Sequence, residues 1–416
     1  MIYKLRDYQQ EAVELGLKHL TKPKPQPIVL QLATGAGKSI IIREIAHKLN
    51  RKVLVLQPSK ELVEQNYEKM MAVEDRTSEV GIYCASLKRR EICDITYATI
   101  QSIYKKPELF QDFSVVIIDE CHQVNPENLS GMYSSFLKAI GCMRVLGLTA
   151  TPYRLKPYTY WENDERRTGA KMAMINRIFP FFFKSIVYRI ETDDLIARGY
   201  LVPILYRVVD IGEMSQLRIN STGADYTVES LRHFWEQDIP MMKLLQVVQK
   251  IDKHCQRSLI FCSSLEQAER AREMLSKLGI RAEMVDGSTK PAERARLVDE
   301  YRKGAFKHML NVGVFTTGFD VPALDCVVLA RPTMSLALYY QMVGRGVRLD
   351  PERPGKKLRV YDLVRVSEKL GRVETIKVVK ENGGFRDKVI SEVGDMTGVA
   401  LHTFAVNKEN KLEEPF

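Results

Sequence analysis

Short apolar runs alternate with amphipathic helical patterns along this chain, and the alternation occurs twice. In the first series, Pro27-Ile28-Val29-Leu30-Gln31-Leu32 precedes a helical pattern over Ser39 to Leu49. Val53-Leu54-Val55-Leu56 precedes another that starts at Lys60, and Ser114-Val115-Val116-Ile117-Ile118-Asp119 and Arg144-Val145-Leu146-Gly147-Leu148-Thr149-Ala150 follow. Strands buried on both faces read as continuous apolar runs, and helices between them imply a parallel sheet covered on both sides. A polar stretch from Gly212 to Asp225, rich in Ser, Thr, Gly and Asn, interrupts the pattern.

The second series has helical patterns over Met241 to Lys253, Leu265 to Lys277 and Pro291 to Arg302. Between and after them come apolar runs at Ser258 to Cys262, Arg281 to Val285, His308 to Val312 and Asp325 to Ala330. The expectation is an α/β fold with two parallel-sheet domains in tandem. The first spans 1–205 with an insertion at about 153–184, a linker covers 206–237, the second domain covers 238–370, and 371–416 is an extension. At 416 residues the chain accommodates two domains of ordinary size.

Composition narrows the function classes. Lys and Arg number 62 against 52 Asp and Glu, a net charge of +10, which suits a polyphosphate partner and equally a plain soluble enzyme. The seven cysteines (Cys84, Cys93, Cys121, Cys142, Cys255, Cys262 and Cys326) never form CxxC. That argues against a disulfide framework or a zinc site and for a reducing compartment. No apolar run reaches the roughly 18 to 20 residues of a membrane span, and Met1 to Asp7 has no signal-peptide core. A cytoplasmic protein with no membrane partner is expected. Nothing in the residues sets an oligomeric state, and a monomer is the default expectation.

Ala33-Thr34-Gly35-Ala36-Gly37-Lys38-Ser39 lies between an apolar run and a helical pattern, the context of a phosphate-binding loop. Gly35 and Gly37 let backbone N–H groups of Thr34 to Ser39 close on phosphate oxygens at a helix N-terminus. Lys38 reaches the β and γ phosphates of a bound nucleotide in such a loop, and the Ser39 hydroxyl ligates Mg²⁺. Leu32 stands where the strict pattern has glycine, so a glycine-rich turn with a solvated lysine is the competing reading.

Asp119-Glu120-Cys121-His122 ends an apolar run about 80 residues further on. Asp119 at the tip is suited to hold Mg²⁺, and Glu120 to orient or deprotonate an attacking water. Adjacent carboxylates also occur as solvated turn residues, and it is the phosphate loop upstream that favours chemistry.

With these segments in view, Asp119-Glu120-Cys121-His122 resembles the DExH motif of superfamily 2 helicases, and other motifs of that superfamily follow in order. Leu5-Arg6-Asp7-Tyr8-Gln9-Gln10 is similar to the LRxYQ segment, Gln57-Pro58-Ser59-Lys60-Glu61-Leu62 to motif Ia and Ala98-Thr99-Ile100-Gln101-Ser102 to Ib. Thr149-Ala150-Thr151-Pro152 resembles motif III and Leu259-Ile260-Phe261-Cys262 motif IV. Thr316-Thr317-Gly318-Phe319-Asp320-Val321-Pro322 resembles motif V and Gln341-Met342-Val343-Gly344-Arg345-Gly346-Val347-Arg348 motif VI. The combination is most similar to RadD-like repair helicases and the helicase subunits of type III restriction enzymes. RadD-like proteins carry a cysteine-rich C-terminal module, and no cysteine follows Cys326 here.

The resemblance implies two tandem RecA-like domains with an ATP cleft between them, ATP and Mg²⁺ as cofactors, and an ATP-dependent helicase or translocase with DNA, single-stranded or forked, as partner. An RNA helicase, or a nucleotide-gated duplex-binding remodeller without strand separation, is the alternative. It implies that Gln9 reads the adenine edge with Arg6 nearby, that Gly318 and Asp320 meet the ribose side, and that His122 and Gln341 join the catalytic set. In-line phosphoryl transfer builds charge on the γ-phosphate, which Arg345 and Arg348 are suited to stabilise. Thr149 and Thr151 are candidates to relay the state of the DExH turn, or equally to cap a turn. Pro58, Ser59, Thr99, Gln101, Ser102 and Thr316 are suited to contact phosphate oxygens without reading bases. Singly, each is as easily a turn or cap residue. The segment 153–184 interleaves Lys and Arg with Tyr158, Tyr160 and Trp161, yet Glu162, Asp164 and Glu165 offset that charge, and a structural insertion is the favoured reading.

Overall fold

A computed structural model describes residues 4–73, 77–162, 165–221, 225–314, 321–380 and 387–398. The chain divides into two compact units, residues 1–154 with 173–191, and residues 155–172 with 192–416.

The first unit runs α1 (Asp7–Leu20), β1 (Ile28–Leu32), α2 (Lys38–Lys48), β2 (Val53–Gln57), α3 (Lys60–Met71), β3 (Val80–Cys84), β4 (Arg89–Arg90) and β5 (Ile95–Thr99). It continues through α4 (Ile100–Ile103), β6 (Val115–Asp119), α5 (Met132–Ile140) and β7 (Val145–Thr149). The chain then leaves as a hairpin of β8 (Tyr153–Glu162) and β9 (Glu165–Met174) and returns as β10 (Ser185–Ile190). One eight-stranded sheet results, in the order β10-β1-β7-β6-β2-β5-β3-β4. Its pairs are parallel except β3 with β4. The strands β1, β2, β5, β6 and β7 are buried at every position, which is why β1, β2, β6 and β7 read as nearly continuous apolar runs instead of alternating. Edge strand β10 alternates half-buried and buried residues, the period of a strand with one wet face.

The second unit contains α6 (Thr192–Ala197), β11 (Ile204–Val208), α7 (Val228–Glu236), α8 (Asp238–Asp252), β12 (Arg257–Cys262), α9 (Leu265–Lys277) and β13 (Ala282–Val285). Then come α10 (Pro291–Lys303), β14 (His308–Asn311), β15 (Leu324–Ala330), α11 (Leu336–Val343), β16 (Leu358–Asp362) and α12 (Val366–Leu370). Its six-stranded sheet, ordered β11-β16-β15-β12-β14-β13, is parallel throughout. Strands β17 (Lys377–Lys380), β18 (Asp387–Ser391) and β19 (Gly394–Asp395) form a small antiparallel sheet in the C-terminal extension.

Both sheets are as the alternation of strands and helices requires. The stretch 206–237, expected as a linker, carries two ordered elements. Strand β11 pairs with β16, and α7 is capped by Thr227 and buries Leu231, Phe234 and Trp235. The polar residues Gly212 to Asp225 lie between these elements. A strand at a sheet edge, half-buried and containing Arg207, has no continuous apolar signal.

Candidate functional site

The loop from Ala33 to Gly37 joins β1 to α2 with Gly35 at φ +87° and Gly37 at φ +82°. Both angles are left-handed, where glycine carries no steric cost. Space demands it as well, since a Cβ on Gly37 would lie 2.6 Å from Gln9 Nε2. The loop is braced by α1. Tyr8 Oη donates to the Ala36 carbonyl at 2.9 Å, and Gln9 Nε2 donates to the same oxygen at 3.0 Å. Gln9 Oε1 accepts from the Arg6 N–H at 3.0 Å, and Arg6 Nη1 lies 3.2 Å from Tyr8 Oη. Thr34 and Ala36 are buried, Lys38 and Ser39 half-buried. The first turn of α2 contains no acidic residue, so the helix itself carries nothing that offsets its positive end.

Asp119 ends β6 and is 3% exposed; its Oδ1 accepts from the Glu120 N–H at 3.0 Å. Burial, reinforced by the Glu120 charge, pushes the Asp119 carboxyl up, and Lys38 opposes the rise. Glu120 sits at φ 48°, ψ 48°, a left-handed conformation that non-glycine residues seldom adopt and that turns its side chain out of the strand direction. There Lys38 Nζ meets Glu120 Oε1 at 3.2 Å. The phosphate loop and the acidic strand end are thus joined, although β7 separates β1 from β6 in the sheet.

The other oxygen of Glu120 is held by a short relay. His122 Nδ1 and Thr149 Oγ1 are 2.8 Å apart, and Thr149 Oγ1 donates to Glu120 Oε2 at 3.5 Å. Burial lowers the His122 pKa, which favours neutral imidazole. An ionised Glu120 accepts only, so the Thr149 hydroxyl donates to it and the imidazole Nδ1–H donates to Thr149. Thr151 Oγ1 lies 3.3 Å from the same nitrogen, its N–H donates to Thr149 Oγ1 at 3.0 Å, and Arg154 Nη1 donates to the His122 carbonyl at 2.6 Å.

Elsewhere on the first unit, Pro58, Ser59, Lys60, Ser86, Thr99, Gln101 and Ser102 line a cavity of about 290 Å³ where the neighbouring strands β2 and β5 end. Ser59 caps α3 by accepting from the Leu62 N–H at 3.4 Å. Thr99 Oγ1 and Ser102 Oγ are 2.8 Å apart, and Ser102 accepts from the Ala85 N–H at 2.9 Å.

In the second unit Thr316, Gly318 and Asp320 lie outside the described residues. Gln341 is on α11, whereas Arg345 and Arg348 lie in the turn after it, so their spacing is not that of a helix face. The turn is anchored through its backbone. Lys356 Nζ donates to the Arg348 carbonyl at 2.7 Å and to the Pro322 carbonyl at 2.6 Å. Val347 accepts from the Val202 N–H at 2.9 Å, and a Cβ on Gly346 would overlap Leu358 Cδ1. Arg353 completes the frame by bridging Asp350 Oδ2 at 3.0 Å and Asp325 Oδ2 at 2.9 Å. Burial pushes the Lys356 ammonium down to about 8.

Residues 2–154 match the family described as the res subunit of type III restriction enzymes, and residues 241–350 match the helicase conserved C-terminal domain. The chain belongs to helicase superfamily 2. IRC3 of Saccharomyces cerevisiae, a putative ATP-dependent helicase, is 26% identical over 365 residues, covering 83% of this chain and 49% of the relative. A putative mitochondrial ATP-dependent helicase, irc3 of Schizosaccharomyces pombe, is 27% identical over 370 residues, covering 83% and 55%. The chain spans about half the length of these curated relatives. Among solved structures, the type ISP restriction–modification enzyme LlaBIII bound to DNA matches with TM-score 0.63 at 17% identity, over 87% of this chain and 28% of that one. Dbp5 of S. cerevisiae bound to RNA and ADP BeF3 matches with TM-score 0.53 at 15% identity, over 87% and 84%. At such identities the two structures show a shared fold of tandem RecA-like domains.

Superfamily 2 members use ATP with Mg²⁺, and the residues present fit both. The loop supplies glycines and leads into a helix N-terminus whose first turn has no acidic residue. Asp119 is a buried carboxyl whose ionised form a divalent cation would favour. Among the described residues no group of three or more His, Cys, Asp or Glu side chains is arranged to hold a metal ion by itself. One carboxylate, one hydroxyl and substrate phosphates make an ordinary Mg²⁺ shell, completed by water. No helix among the described residues is long and apolar enough to cross a membrane. The sequence motifs contain Tyr8 and Lys60 but assign them no role, Arg154 stands two residues beyond Thr149-Ala150-Thr151-Pro152, and Ser86 and Lys356 stand in no motif.

Proposed function

We propose that this chain is an ATP-dependent helicase or translocase that couples Mg-ATP hydrolysis to movement along DNA or to its unwinding. The observation that carries the reading is the Lys38–Glu120 pair at 3.2 Å, which joins a phosphate-binding loop to a candidate base. Without nucleotide each charge neutralises the other. When phosphates occupy the loop, Lys38 turns to them, and Glu120 is released to orient and deprotonate a water. The neutral His122–Thr149 relay keeps Glu120 Oε2 in place while its partner leaves. Mg²⁺, with Ser39 and Asp119 as the protein ligands, supplies charge stabilisation on the phosphate oxygens. Tyr8 and Gln9 fix the loop through the Ala36 carbonyl, and Gln9 retains acceptor capacity at Oε1 for an adenine amine. Arg345 and Arg348 are assigned to turnover rather than to nucleotide binding. The cavity at Ser59, Thr99, Gln101 and Ser102 is assigned to strand phosphates.

DNA is favoured because the family matched by residues 2–154 takes its description from restriction enzymes, and LlaBIII is described bound to DNA. RNA is the second reading. A putative ATP-dependent RNA helicase of African swine fever virus is 34% identical over 156 residues, and Dbp5 is described bound to RNA. ATPase rates with no nucleic acid, single-stranded DNA, duplex DNA and RNA, followed by strand displacement on tailed duplexes, separate the readings. Stimulation by DNA of at least several-fold is expected. Stimulation by RNA alone overturns the choice of DNA, and stimulation by neither overturns the motor.

A further inference from the structure

The geometry points to the outer hairpin β8–β9 as a stacking platform for single-stranded nucleic acid, formed by Tyr158 and Tyr160 with Lys156 and Lys171. The proposal rests on the reading of the chain as a nucleic-acid motor and adds to it a site outside the helicase motifs. Lys156, Tyr158 and Tyr160 recur at the strand period of two and therefore share one face of β8. The two tyrosine rings are 5.6 Å apart and tilted by 31°. Lys171 of the paired strand places its ammonium 4.4 Å from the centroid of the Tyr158 ring. Gly169, also on that strand, permits the ring to lie close, since a Cβ there would be 2.9 Å from Tyr158 Cε1.

A structural insertion that only packs would bury these rings fully, yet Tyr158 and Tyr160 are half-buried and the adjoining Trp161 is 72% exposed. Lysines interleaved with aromatic rings complement a phosphate backbone whose bases are available to stack. Glu162 is the last residue of β8 and Glu165 the first of β9, so both stand apart from Lys156 and Lys171 along the strands. Stacking is tolerant of sequence because every base has a π face, as a motor requires.

The base of the hairpin is tied to the chemistry. β8 begins directly after Thr151-Pro152, and Arg154 within it donates to the His122 carbonyl at 2.6 Å.

The test compares wild type with Tyr158→Ala/Tyr160→Ala, Tyr158→Phe/Tyr160→Phe and Lys171→Glu. Binding of labelled oligothymidylate, oligouridylate and a blunt duplex is followed by fluorescence anisotropy, beside the unstimulated ATPase rate. The double alanine variant is expected to lose at least about fivefold in single-strand affinity, from the usual worth of base–aromatic stacking. Lys171→Glu is expected to weaken it too, and the phenylalanine pair to retain it. Duplex binding and the unstimulated rate should not change, the latter also showing that the variants fold. The oligothymidylate and oligouridylate arms tell which strand the platform takes. If the alanine variant binds single strands within twofold of wild type, or loses duplex binding equally, the platform is refuted. Wild type stimulated by nucleic acid while the alanine variant behaves identically sinks the platform and leaves the motor standing. Wild type that binds no nucleic acid sinks both.

Discussion

The two units secure their candidate catalytic groups by opposite means. In the first, side chains hold side chains: Lys38 grips Glu120 at 3.2 Å, and Thr149 links Glu120 to His122. In the second, the turn bearing Arg345 and Arg348 is held by its backbone, with Lys356 and Val202 donating to the carbonyls of Arg348 and Val347. The first arrangement keeps opposite charges in store and must break a contact to work. The second fixes where two guanidinium groups start from, through the backbone of the turn that carries them. Substitutions should therefore behave differently in the two units.

In the first unit, losing one partner strands the other. Lys38→Ala and Glu120→Gln should each lower ATP turnover by about a hundredfold or more, the usual worth of a positioned base or a charge-stabilising group. Lys38→Ala should also weaken nucleotide affinity, whereas Glu120→Gln should spare it. Steady-state ATPase assays beside binding of a fluorescent ATP analogue read both quantities, and wild-type turnover in either variant would remove the pair from the chemistry. In the second unit Arg348→Ala should keep analogue binding within a few-fold and still reduce turnover by about a hundredfold. Equal losses of binding and turnover would place Arg348 in ground-state recognition instead.

Smaller effects follow from the fastening. Lys356→Ala leaves the carbonyls of Pro322 and Arg348 without their donor and should cost about 1–3 kcal/mol of stability. Turnover should fall less than with Arg348→Ala, and Lys356→Arg should restore part of it. Thermal unfolding and ATPase rates measured together decide this, and an unchanged melting temperature in the alanine variant would show the fastening to be redundant.

How far all this was readable in the sequence depends on what each part leans on. The strands β1, β2, β6, β7, β12 and β15 are continuous apolar runs because both of their faces are covered, and such runs are plain to see. Edge strand β11 carries Arg207 and no such run, so it was folded into a linker. Gly35, Gly37, Lys38, Asp119 and Glu120 were legible because phosphate chemistry constrains residue type at fixed spacing. The bracing of the loop by Tyr8, or of a turn by Lys356, depends on side chains reaching across 28 residues in one case and 8 in the other. No local pattern encodes such reach. The left-handed Glu120 was equally hidden, because its conformation is imposed by the sheet end and not by its own preference.

The mildest effect should separate the units by their response to pH. The first unit offsets its half-buried Glu120 with Lys38, whereas Glu374 of the second has its Oε2 out of solvent beside the Tyr206–Tyr339 pair. Burial pushes its carboxyl up to about 7, against the ordinary 4.5, and the hydrogen bond from Tyr206 and the charge of Arg372 only partly oppose that. A raised folded-state pKa means the folded chain holds this proton more tightly. The resulting stability is present in full below about 4.5 and is lost as pH rises through 7. Glu374→Gln keeps the shape and removes the charge. The variant should therefore melt a few degrees above wild type at pH 8, with the gap narrowing toward pH 5, in parallel calorimetric scans. A gap that is constant across that range, or reversed at pH 8, would mean that the Tyr206 pocket accommodates the ionised carboxylate.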